Sequence, residues 1–249
     1  MNHARVIDIV KENKDVFTLS FDSTLVAKPG QFLMVWVPGG KEIPMSLSRI
    51  ANPPSITFRV FGETTKFLSG LRKGDRVYFR GPYGNSYPVP SGKIAYVAGG
   101  TGLASVNSML SKYSGDVFVG ARTKDDLFLL REGFEIATDD GSAGFKGTVI
   151  DLFIPHVDDY DYVFVCGPEP MAKSLLDKID RKTKAKIYFS LERLMKCGVG
   201  ICDSCSINGI RICKDGTIFS IEEVLKMNEF GVFKRSESGK IEFFTKNKR

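Results

Sequence analysis

The chain changes its pattern of apolar residues at the stretch GPYGNSYPVPSG, residues 81–92, which is rich in glycine and proline. Before this stretch, short runs such as RVIDIV, VFTLSF, QFLMVWV and ITFRVF are rich in valine, isoleucine and phenylalanine and are separated by turn residues. A series of short strands of this kind predicts a small antiparallel β-barrel. One helical stretch, TTKFLSGL at 64–71, interrupts the series. We therefore predict a first domain, residues 1–90, that is an antiparallel barrel.

After this stretch, strands alternate with helices. The strand KIAYVA leads into a glycine-rich turn and a helix near 102–113, and the strands DVFVGA, FEIAT, DYVFVC and KIYFSL follow with two further helices between them. This alternation predicts a parallel, doubly wound sheet. We assign residues 91–191 to this α/β domain and residues 192–249 to a small C-terminal domain. The predicted fold class is therefore a multidomain chain in which a β-barrel is followed by an α/β domain and a small appended domain.

The composition agrees with a globular protein and argues against several functions. Of the 249 residues, 43% are hydrophobic and 26% are charged, which is ordinary for a chain with a sizeable core. No apolar run approaches the roughly 18 residues of a membrane span, and the N-terminus lacks a signal-peptide pattern, so we expect a cytoplasmic protein outside the membrane. The net charge of +6 is modest and its basic residues are interspersed with acidic ones, so we expect no nucleic-acid partner.

Four of the five cysteines lie within the stretch CGVGICDSCSINGIRIC, at Cys197, Cys202, Cys205 and Cys213. Their spacing, C-x4-C-x2-C-x7-C, is the spacing of ligands in plant-type [2Fe–2S] proteins. Gly198 and Gly200 allow the chain to curl tightly around an inorganic core. The fourth cysteine is expected on the second arm of a hairpin that turns at Asn208-Gly209.

Other uses of these cysteines have to be weighed. In a cytosolic chain, clustered cysteines indicate metal binding or redox chemistry rather than a disulfide framework. A structural zinc site usually has two CxxC pairs, whereas this sequence has only the pair Cys202 and Cys205. A redox dithiol would need only that pair and would leave Cys197 and Cys213 without a role. The spacing therefore favours an iron–sulfur cluster, with zinc as the alternative.

A second group of candidate residues lies at the carboxyl ends of two predicted strands. In YVAGGTGLASV, three glycines join a strand to a helix, and such a turn lets the phosphates of a ligand approach the helix N-terminus. The dinucleotide fingerprint is incomplete, because Ser105 stands where a third glycine is expected and no carboxylate follows the next strand. Cys166, in VCGPEPM, is expected either to pack beneath the sheet or to contact a bound ligand.

The order of these motifs carries a resemblance to a known family. A barrel followed by GPYGN, AGGTG and CGPEPM resembles the ferredoxin–NADP reductase superfamily of flavoprotein electron carriers. The C-terminal cysteines and the phrase RICKDGTIF narrow the resemblance, over the whole chain, to the electron-transfer subunits of class 1B dihydroorotate dehydrogenases.

This resemblance implies three cofactors: FAD, NAD and a [2Fe–2S] cluster. It places the cluster on the four clustered cysteines and FAD on the barrel, with contacts at Pro44, Met45, Ser46, Val60, Gly62 and Thr65. It places the nicotinamide nucleotide on the α/β domain, with contacts at Gly99, Gly100, Thr101, Gly102, Cys166, Gly167 and Pro168.

The resemblance also implies an activity and a partner. The chain would be an oxidoreductase subunit of pyrimidine biosynthesis, in a heterotetramer with an FMN-containing subunit that oxidises dihydroorotate. Single electrons would pass through the cluster to FAD, which would give a hydride to NAD+. No catalytic acid, base or nucleophile is expected, because the cofactors carry the chemistry. The alternatives are a flavin and iron–sulfur subunit of a hydrogenase or of a ferredoxin–NAD(P)H reductase, and a zinc-stabilised interaction module on a degenerate reductase fold.

One position departs from the family pattern. Three residues before the motif serine the family has an arginine that neutralises flavin phosphate, and this chain has Ile43. Four basic side chains are candidates to replace it: Lys41, Arg49, Arg59 and Lys66. Near the cysteines, Met195 and Val199 are expected either to face a partner or to join the core.

Overall fold

A computed structural model describes residues 2–180 and 182–244, so Met1, Arg181 and the last five residues of the predicted C-terminal domain, 245–249, lie outside the described residues. The first six strands form a closed barrel: β1 Asn2–Lys11, β2 Val16–Phe21, β3 Phe32–Trp36, β4 Ile43–Arg49, β5 Ser55–Arg59 and β6 Arg76–Tyr83. Their order is β1-β2-β5-β4-β3-β6, and all neighbours are antiparallel. Alternate side chains such as Leu19, Leu33 and Ile56 fill the interior and are fully buried. The predicted barrel is confirmed.

A single short helix, α1 Glu63–Ser69, packs on this barrel. Leu68 and the following Leu71 belong to the barrel core. The helix ends at Ser69, two residues earlier than the predicted stretch, because Gly70 bonds back to the carbonyls of Phe67 and Leu68. The helix therefore seals the barrel core with its buried leucine.

The second region is the predicted doubly wound sheet. Its strands are β7 Ile94–Gly99, β8 Asp116–Ala121, β9 Glu135–Thr138, β10 Phe145–Lys146, β11 Tyr162–Cys166 and β12 Lys186–Ser190, and its helices are α2 Gly102–Leu110, α3 Val149–Phe153 and α4 Glu169–Lys178. These strands are parallel in the order β10-β9-β8-β7-β11-β12. α2 packs on one face, with Tyr96 and Phe164, whereas α3 and α4 pack on the other, with Val97 and Val165. The chain reverses its direction of winding between β7 and β11, and ligands of open α/β sheets bind at such a reversal.

The C-terminal region contains the cysteine hairpin and a strand that joins the sheet. Its elements are β13 Ser206–Ile207, β14 Ile210–Arg211, α5 Ile212–Asp215, β15 Ile218–Ser220, α6 Ile221–Val224, β16 Phe233–Arg235 and β17 Ile241–Phe243. β13 and β14 form the hairpin predicted through Asn208-Gly209. β15 pairs antiparallel with β12, with Ser190 opposite Ile218, and covers the edge of that strand. The cysteine region is therefore bounded by two hydrogen-bonded strands, which the sequence did not reveal.

Among the described residues, no helix is both long enough and apolar enough to cross a membrane.

Candidate iron–sulfur centre and adjoining cofactor sites

The four clustered cysteines lie in two pairs. The Cys202 thiol lies close enough to the Cys197 sulfur to act on its pKa. The Cys205 thiol acts in the same way on Cys213, whose backbone N–H donates to the Cys205 Sγ at 3.4 Å. Cys205 and Cys213 are buried, Cys197 is half-buried, and Cys202 is exposed. The site is therefore closed by the protein on the side of Cys205 and Cys213 and open on the side of Cys202.

Backbone N–H groups of the loop point at the sulfur atoms. Val199 and Ile201 donate to the Cys197 Sγ at 3.5 and 3.3 Å, and Gly200 donates to the Cys213 Sγ at 3.2 Å. The curl that aims them depends on Gly198 and Gly200, whose φ angles of +73° and +78° lie in the left-handed region that glycine favours. Such donors stabilise negative charge on sulfur.

The surroundings act on the Cys197 and Cys213 thiols in opposite directions. Burial alone raises the pKa of Cys197, but the N–H donors of Val199, Cys202 and Ile201 outweigh it and lower that pKa to about 6. Burial, assisted by the neighbouring Cys205, raises the pKa of Cys213 to about 12. In the loop as it stands, Cys197 thus favours the thiolate and Cys213 the protonated thiol.

The donor set fits a dinuclear core better than a single ion. A single tetrahedral metal ion needs all its ligands around one point, whereas the loop groups its sulfurs as two neighbouring pairs, Cys197 with Cys202 and Cys205 with Cys213. Each iron of a [2Fe–2S] cluster takes only two cysteine ligands, and the loop offers two sulfur pairs with backbone donors around them. The residues present therefore fit the cluster that the spacing predicts.

The cysteine loop rests against the outer face of the barrel. A Cβ at Gly198 would lie 2.8 Å from Met34 Cγ and 3.5 Å from Tyr83 Cδ2, so only glycine allows the loop to approach this closely. Met34 belongs to the same buried cluster as Cys205, Cys213 and Met195. Met195 is thus a core residue, while Val199 remains 37% exposed beside the open side of the loop.

The two glycine-containing turns of the sheet lie side by side at the winding reversal. A Cβ at Gly102 would lie 2.1 Å from the carbonyl oxygen of Cys166, and a Cβ at Gly167 would lie 3.0 Å from the backbone nitrogen of Gly99. Pro168 contacts the same place, 3.2 Å from the corresponding position on Gly99. Gly100 has a φ of +52° and open space where a side chain would be. The structure thus brings together the residues predicted to contact the nucleotide.

Cys166 lies beneath these turns among groups that sequence reasoning missed. It is buried, and burial followed by the nearby carboxylate of Glu192 raises its pKa to about 12. The hydroxyls of Ser190, Ser105 and Tyr87 lie close to its thiol and offset part of this rise. These groups come from three separate parts of the chain, and no local motif places them beside Cys166. Cys166 is therefore a neutral thiol in a polar pocket of the core.

The residues predicted to contact flavin lie on neighbouring elements of the barrel. Met45 and Val60 pack partly against the barrel core. Thr65 Oγ1 accepts hydrogen bonds from the N–H groups of Phe61 and Gly62 at 2.9 and 3.0 Å, which fixes the turn that precedes α1.

Two hydrogen bonds join this turn to Lys41, which lies just before the predicted flavin motif. The Lys41 N–H donates to Thr64 Oγ1 at 3.1 Å, and the Thr64 hydroxyl donates to the Lys41 carbonyl at 3.0 Å. The start of β4, with Pro44 and Ser46, therefore lies beside the predicted phosphate turn.

Three of the four cations considered as replacements at position 43 are engaged elsewhere. Lys41 pairs with Glu237, and Arg59 lies 3.0 Å from Asp15 and 3.6 Å from Asp126. Arg49 donates to the Pro53 carbonyl and to the Ser20 hydroxyl. Lys66, on α1, is exposed and has no ion-pair partner among the described residues.

Comparisons with known proteins agree with this geometry. The family model for the iron–sulfur cluster binding domain of dihydroorotate dehydrogenase B matches residues 192–225. Two relatives named as probable dihydroorotate dehydrogenase B (NAD(+)), electron transfer subunit, are each 41% identical to this chain. The one from Thermoplasma volcanium aligns over 96% of this chain and 97% of its own length, and the one from Archaeoglobus fulgidus over 90% and 99%.

Two solved structures of reductases are similar to this chain. An NADH-dependent reduced ferredoxin–NADP oxidoreductase, studied for flavin-based electron bifurcation, is 28% identical with a TM-score of 0.77, over 92% of this chain and 94% of that chain. The ferredoxin reductase of carbazole 1,9a-dioxygenase, 21% identical with a TM-score of 0.62 over 75% of this chain and 68% of that one, shares the fold. The curated relatives align over nearly the whole chain at 41% identity, and the chain belongs to the family of dihydroorotate dehydrogenase B electron transfer subunits.

Proposed function

We propose that this chain passes electrons from a partner subunit that oxidises dihydroorotate to NAD+, and so serves pyrimidine biosynthesis. The observation that carries the proposal is the cysteine loop, where two sulfur pairs with backbone N–H donors lie against the barrel of a reductase fold. Family membership adds the substrate class, because the relatives are named for dihydroorotate dehydrogenase B and NAD(+). When bound, FAD and the [2Fe–2S] cluster supply the hydride and single-electron chemistry.

The chain's own residues bind and orient these groups. Cys197 with Cys202, and Cys205 with Cys213, would hold the cluster as two pairs, with the loop N–H groups stabilising its negative charge. Around FAD we propose the contacts expected from the family motif: Pro44, Met45, Ser46, Val60, Gly62 and Thr65. For the nicotinamide nucleotide we propose the two adjoining turns, with Gly99, Gly100, Thr101 and Gly102 on one side and Cys166, Gly167 and Pro168 on the other.

We propose that each of the three predicted segments binds one of the three cofactors. Residues 1–90 would bind FAD, residues 91–191 would bind NAD, and residues 192–249 would bind the cluster. β15 lies in the third segment yet belongs to the sheet of the second, which supports a division by function rather than into separately folding units.

A partner subunit follows from family membership, because the relatives are named as electron transfer subunits of dihydroorotate dehydrogenase B. We propose an FMN-containing catalytic subunit in a heterotetramer, with the open side of the loop at Val199, Ile201 and Cys202 facing it. We also propose a cytoplasmic location, since none of the five cysteines is paired in a disulfide.

The test is the visible spectrum of the purified chain, read with its iron, acid-labile sulfide and flavin contents. We expect two irons, two sulfides and one FAD per chain, and a reduced-state EPR signal that Cys205→Ala abolishes while flavin stays bound. Cys166→Ala is the matched control, because that cysteine lies outside the loop, and it should keep the signal.

The partner is tested by mixing the chain with an FMN-containing dihydroorotate-oxidising subunit and following NAD+ reduction. Stoichiometric zinc without sulfide in a colourless protein would contradict the electron-transfer function. Co-purification with a hydrogenase or ferredoxin partner would be compatible with electron transfer by this chain. It would contradict the proposal that dihydroorotate is the substrate of the partner.

A further inference from the structure

One barrel arginine reaches the cysteine loop. Arg80, on β6, donates to Glu42 at 2.7 and 2.5 Å through two nitrogens of its guanidinium. The second of these nitrogens also donates to the carbonyl oxygen of Cys197 at 3.1 Å. The guanidinium lies 5.7 Å from the centre of the Tyr83 ring. A single side chain thus connects the residue before the flavin motif strand to the first cysteine of the loop.

The contacts of Arg80 hold it in one geometry. Its side chain is 29% exposed and that of Glu42 is 19% exposed, so the pair is shielded from much of the solvent. A guanidinium that pairs with a carboxylate through two nitrogens is fixed in orientation as well as in position. The third contact, to the Cys197 carbonyl, therefore fixes the backbone of a cysteine whose Sγ also accepts two loop N–H bonds.

The two charges of the pair act in opposite directions on an electron placed in the loop. A positive charge within roughly 10 Å stabilises an added electron, and a negative charge destabilises it, with little screening at this depth. Arg80 bonds directly to the Cys197 backbone, whereas Glu42 touches the loop only through Arg80. The other charges near this edge of the loop, Lys41, Lys196 and Glu237, are more exposed, and Lys41 and Glu237 neutralise each other. Arg211 donates to the Gly200 carbonyl at 3.1 Å from within the C-terminal segment, where it pairs with Asp215.

We propose that Arg80 is a positioning residue that fixes the cysteine loop on the barrel and, balanced by Glu42, sets the reduction potential of the cluster held there. The proposal rests on the proposed function, since it needs a [2Fe–2S] cluster on the loop. It assigns to the barrel a role in the iron–sulfur centre as well as in flavin binding.

The experiment is a redox titration of the cluster, followed by EPR, in the purified full-length chain. The variants are Arg80→Gln, Glu42→Gln, the double variant and Arg80→Lys. Arg76→Gln is the matched control, because Arg76 lies on the same strand, is exposed, and lies at the opposite end from the loop contact.

The expected shifts have opposite signs. Arg80→Gln leaves Glu42 without its counter-charge and makes the cluster harder to reduce, by about tenfold in the equilibrium constant, which is 59 mV for one electron. Glu42→Gln leaves Arg80 unbalanced and makes the cluster easier to reduce by a similar factor. The double variant returns to within about threefold of the wild type, as does Arg80→Lys, which keeps the charge, and Arg76→Gln stays within about twofold.

The opposite signs of the two shifts in reduction potential distinguish this proposal from a purely structural role of Arg80. Disruption of the loop would shift both single variants in the same direction or abolish both signals, and either result would overturn the proposal. Equal potentials in the wild type, Arg80→Gln and Glu42→Gln would also overturn it, while leaving electron transfer intact. If Arg80→Gln does not fold, the upward shift in Glu42→Gln still decides the matter. Absence of any cluster signal in the wild type would instead overturn the proposed function itself.

Discussion

The segment that carries the cysteines contacts the α/β sheet through backbone hydrogen bonds and a buried ion pair. It contacts the barrel through individual side chains. On the sheet side, β15 pairs with β12, and the Leu191 N–H donates to the Thr217 carbonyl at 2.7 Å. The ion pair of Arg193 with Glu169 lies beside them, with side chains only 6% and 8% exposed.

The barrel side has contacts of another kind. Arg80 reaches the Cys197 carbonyl, Gly198 packs on Met34, and Asn85 bonds the backbone just before β15. The contacts that lie nearest to the cysteines are therefore on the barrel side, whereas the contacts that are hardest to break are on the sheet side. We therefore expect that changes on the sheet side mainly lower the free energy of unfolding. Changes on the barrel side should have smaller effects on stability and should also alter the loop that binds iron.

The largest effect is expected from Glu169→Gln. Glu169 Oε1 accepts from Arg193 at 2.7 Å and from the Gly231 N–H at 2.6 Å. Burial lowers the pKa of Arg193 to about 10, and loss of the Glu169 carboxylate leaves that charge buried with the Phe233 carbonyl at 3.2 Å and the charge of Glu229 to offset it. We expect the free energy of unfolding to fall by about 3–5 kcal/mol, measured by urea denaturation followed by circular dichroism.

Asp177→Asn is the control for this change. Asp177 pairs with Lys173 on the exposed side of α4, and its loss should cost less than about 0.5 kcal/mol. If Glu169→Gln cost no more than this control, the description of the sheet side as the anchoring border would be wrong.

Gly198→Ala should have the next largest effect, on the barrel side. Its positive φ disfavours alanine, and the new Cβ would also lie 2.8 Å from Met34 Cγ. Gly209→Ala is the matched control, because Gly209 has a φ of +80° and no atom within 4 Å of the added carbon. We expect both variants to lose about 1 kcal/mol from backbone strain, and Gly198→Ala to lose about 2 kcal/mol more and to bind less iron. Equal losses of stability and iron in the two variants would mean that the contact with Met34 does not constrain the loop.

Asn85→Ala tests the hydrogen bonds of the barrel side. Asn85 Oδ1 accepts from the N–H groups of Thr217 and Ile218 at 3.0 and 2.9 Å, and Nδ2 donates to the Ile218 carbonyl at 2.7 Å. Truncation leaves these backbone groups unpaired at the start of β15, and we expect a loss of about 1.5 kcal/mol in urea denaturation. Asn228→Ala, at an exposed position, is the control and should change the free energy of unfolding by less than about 0.5 kcal/mol. A similar loss in both variants would mean that the hydrogen bonds of Asn85 to the start of β15 do not stabilise the fold.

The smallest effect is expected from Glu237→Gln, at the exposed rim of the barrel side. The hydrogen bond with Lys41 lowers the pKa of Glu237 below its ordinary value of 4.5. Its contribution to stability is therefore present above about pH 4.5 and is lost as the pH falls through the lower folded pKa. Because both side chains are mostly exposed, the melting temperatures of variant and wild type should differ by less than about 1 °C at pH 7 and should converge as the pH falls below the folded pKa of Glu237. A difference of several degrees at pH 7 would show that surface charge anchors the barrel side after all.

The parts of the fold that were predictable from the sequence are those that local patterns determine. Strands of period two, their alternation with helices, and the turn at Asn208-Gly209 all follow from residues that are neighbours in the chain. The pairing of β15 with β12 was not predictable, because the two strands are separated by the whole cysteine loop. The series of predicted strands ends at KIYFSL, so the apolar residues Ile218 and Phe219 were not predicted as a strand at all.

The candidate site divides in the same way. The cysteine spacing predicted the loop, and the two glycine turns lie together because parallel strands end at one edge. Arg80 could not be recognised, since it and Cys197 are 117 positions apart and neither lies in a shared motif. The sequence left two interpretations open for Met195 and Val199, and the structure separates them, because Met195 faces the buried cluster beneath the loop and Val199 faces outward.

The pairing of Ser190 with Ile218 has a consequence for how such a protein is assembled from simpler parts. The chain leaves the sheet after β12 and returns to it beside the same strand, so residues 191–217 form one excursion with adjoining ends. A short β-turn in their place would join the same two strands and leave the order of the sheet unchanged. The cysteine loop is therefore a single insertion between two paired strands, and the scaffold of the sheet does not depend on it for its strand order.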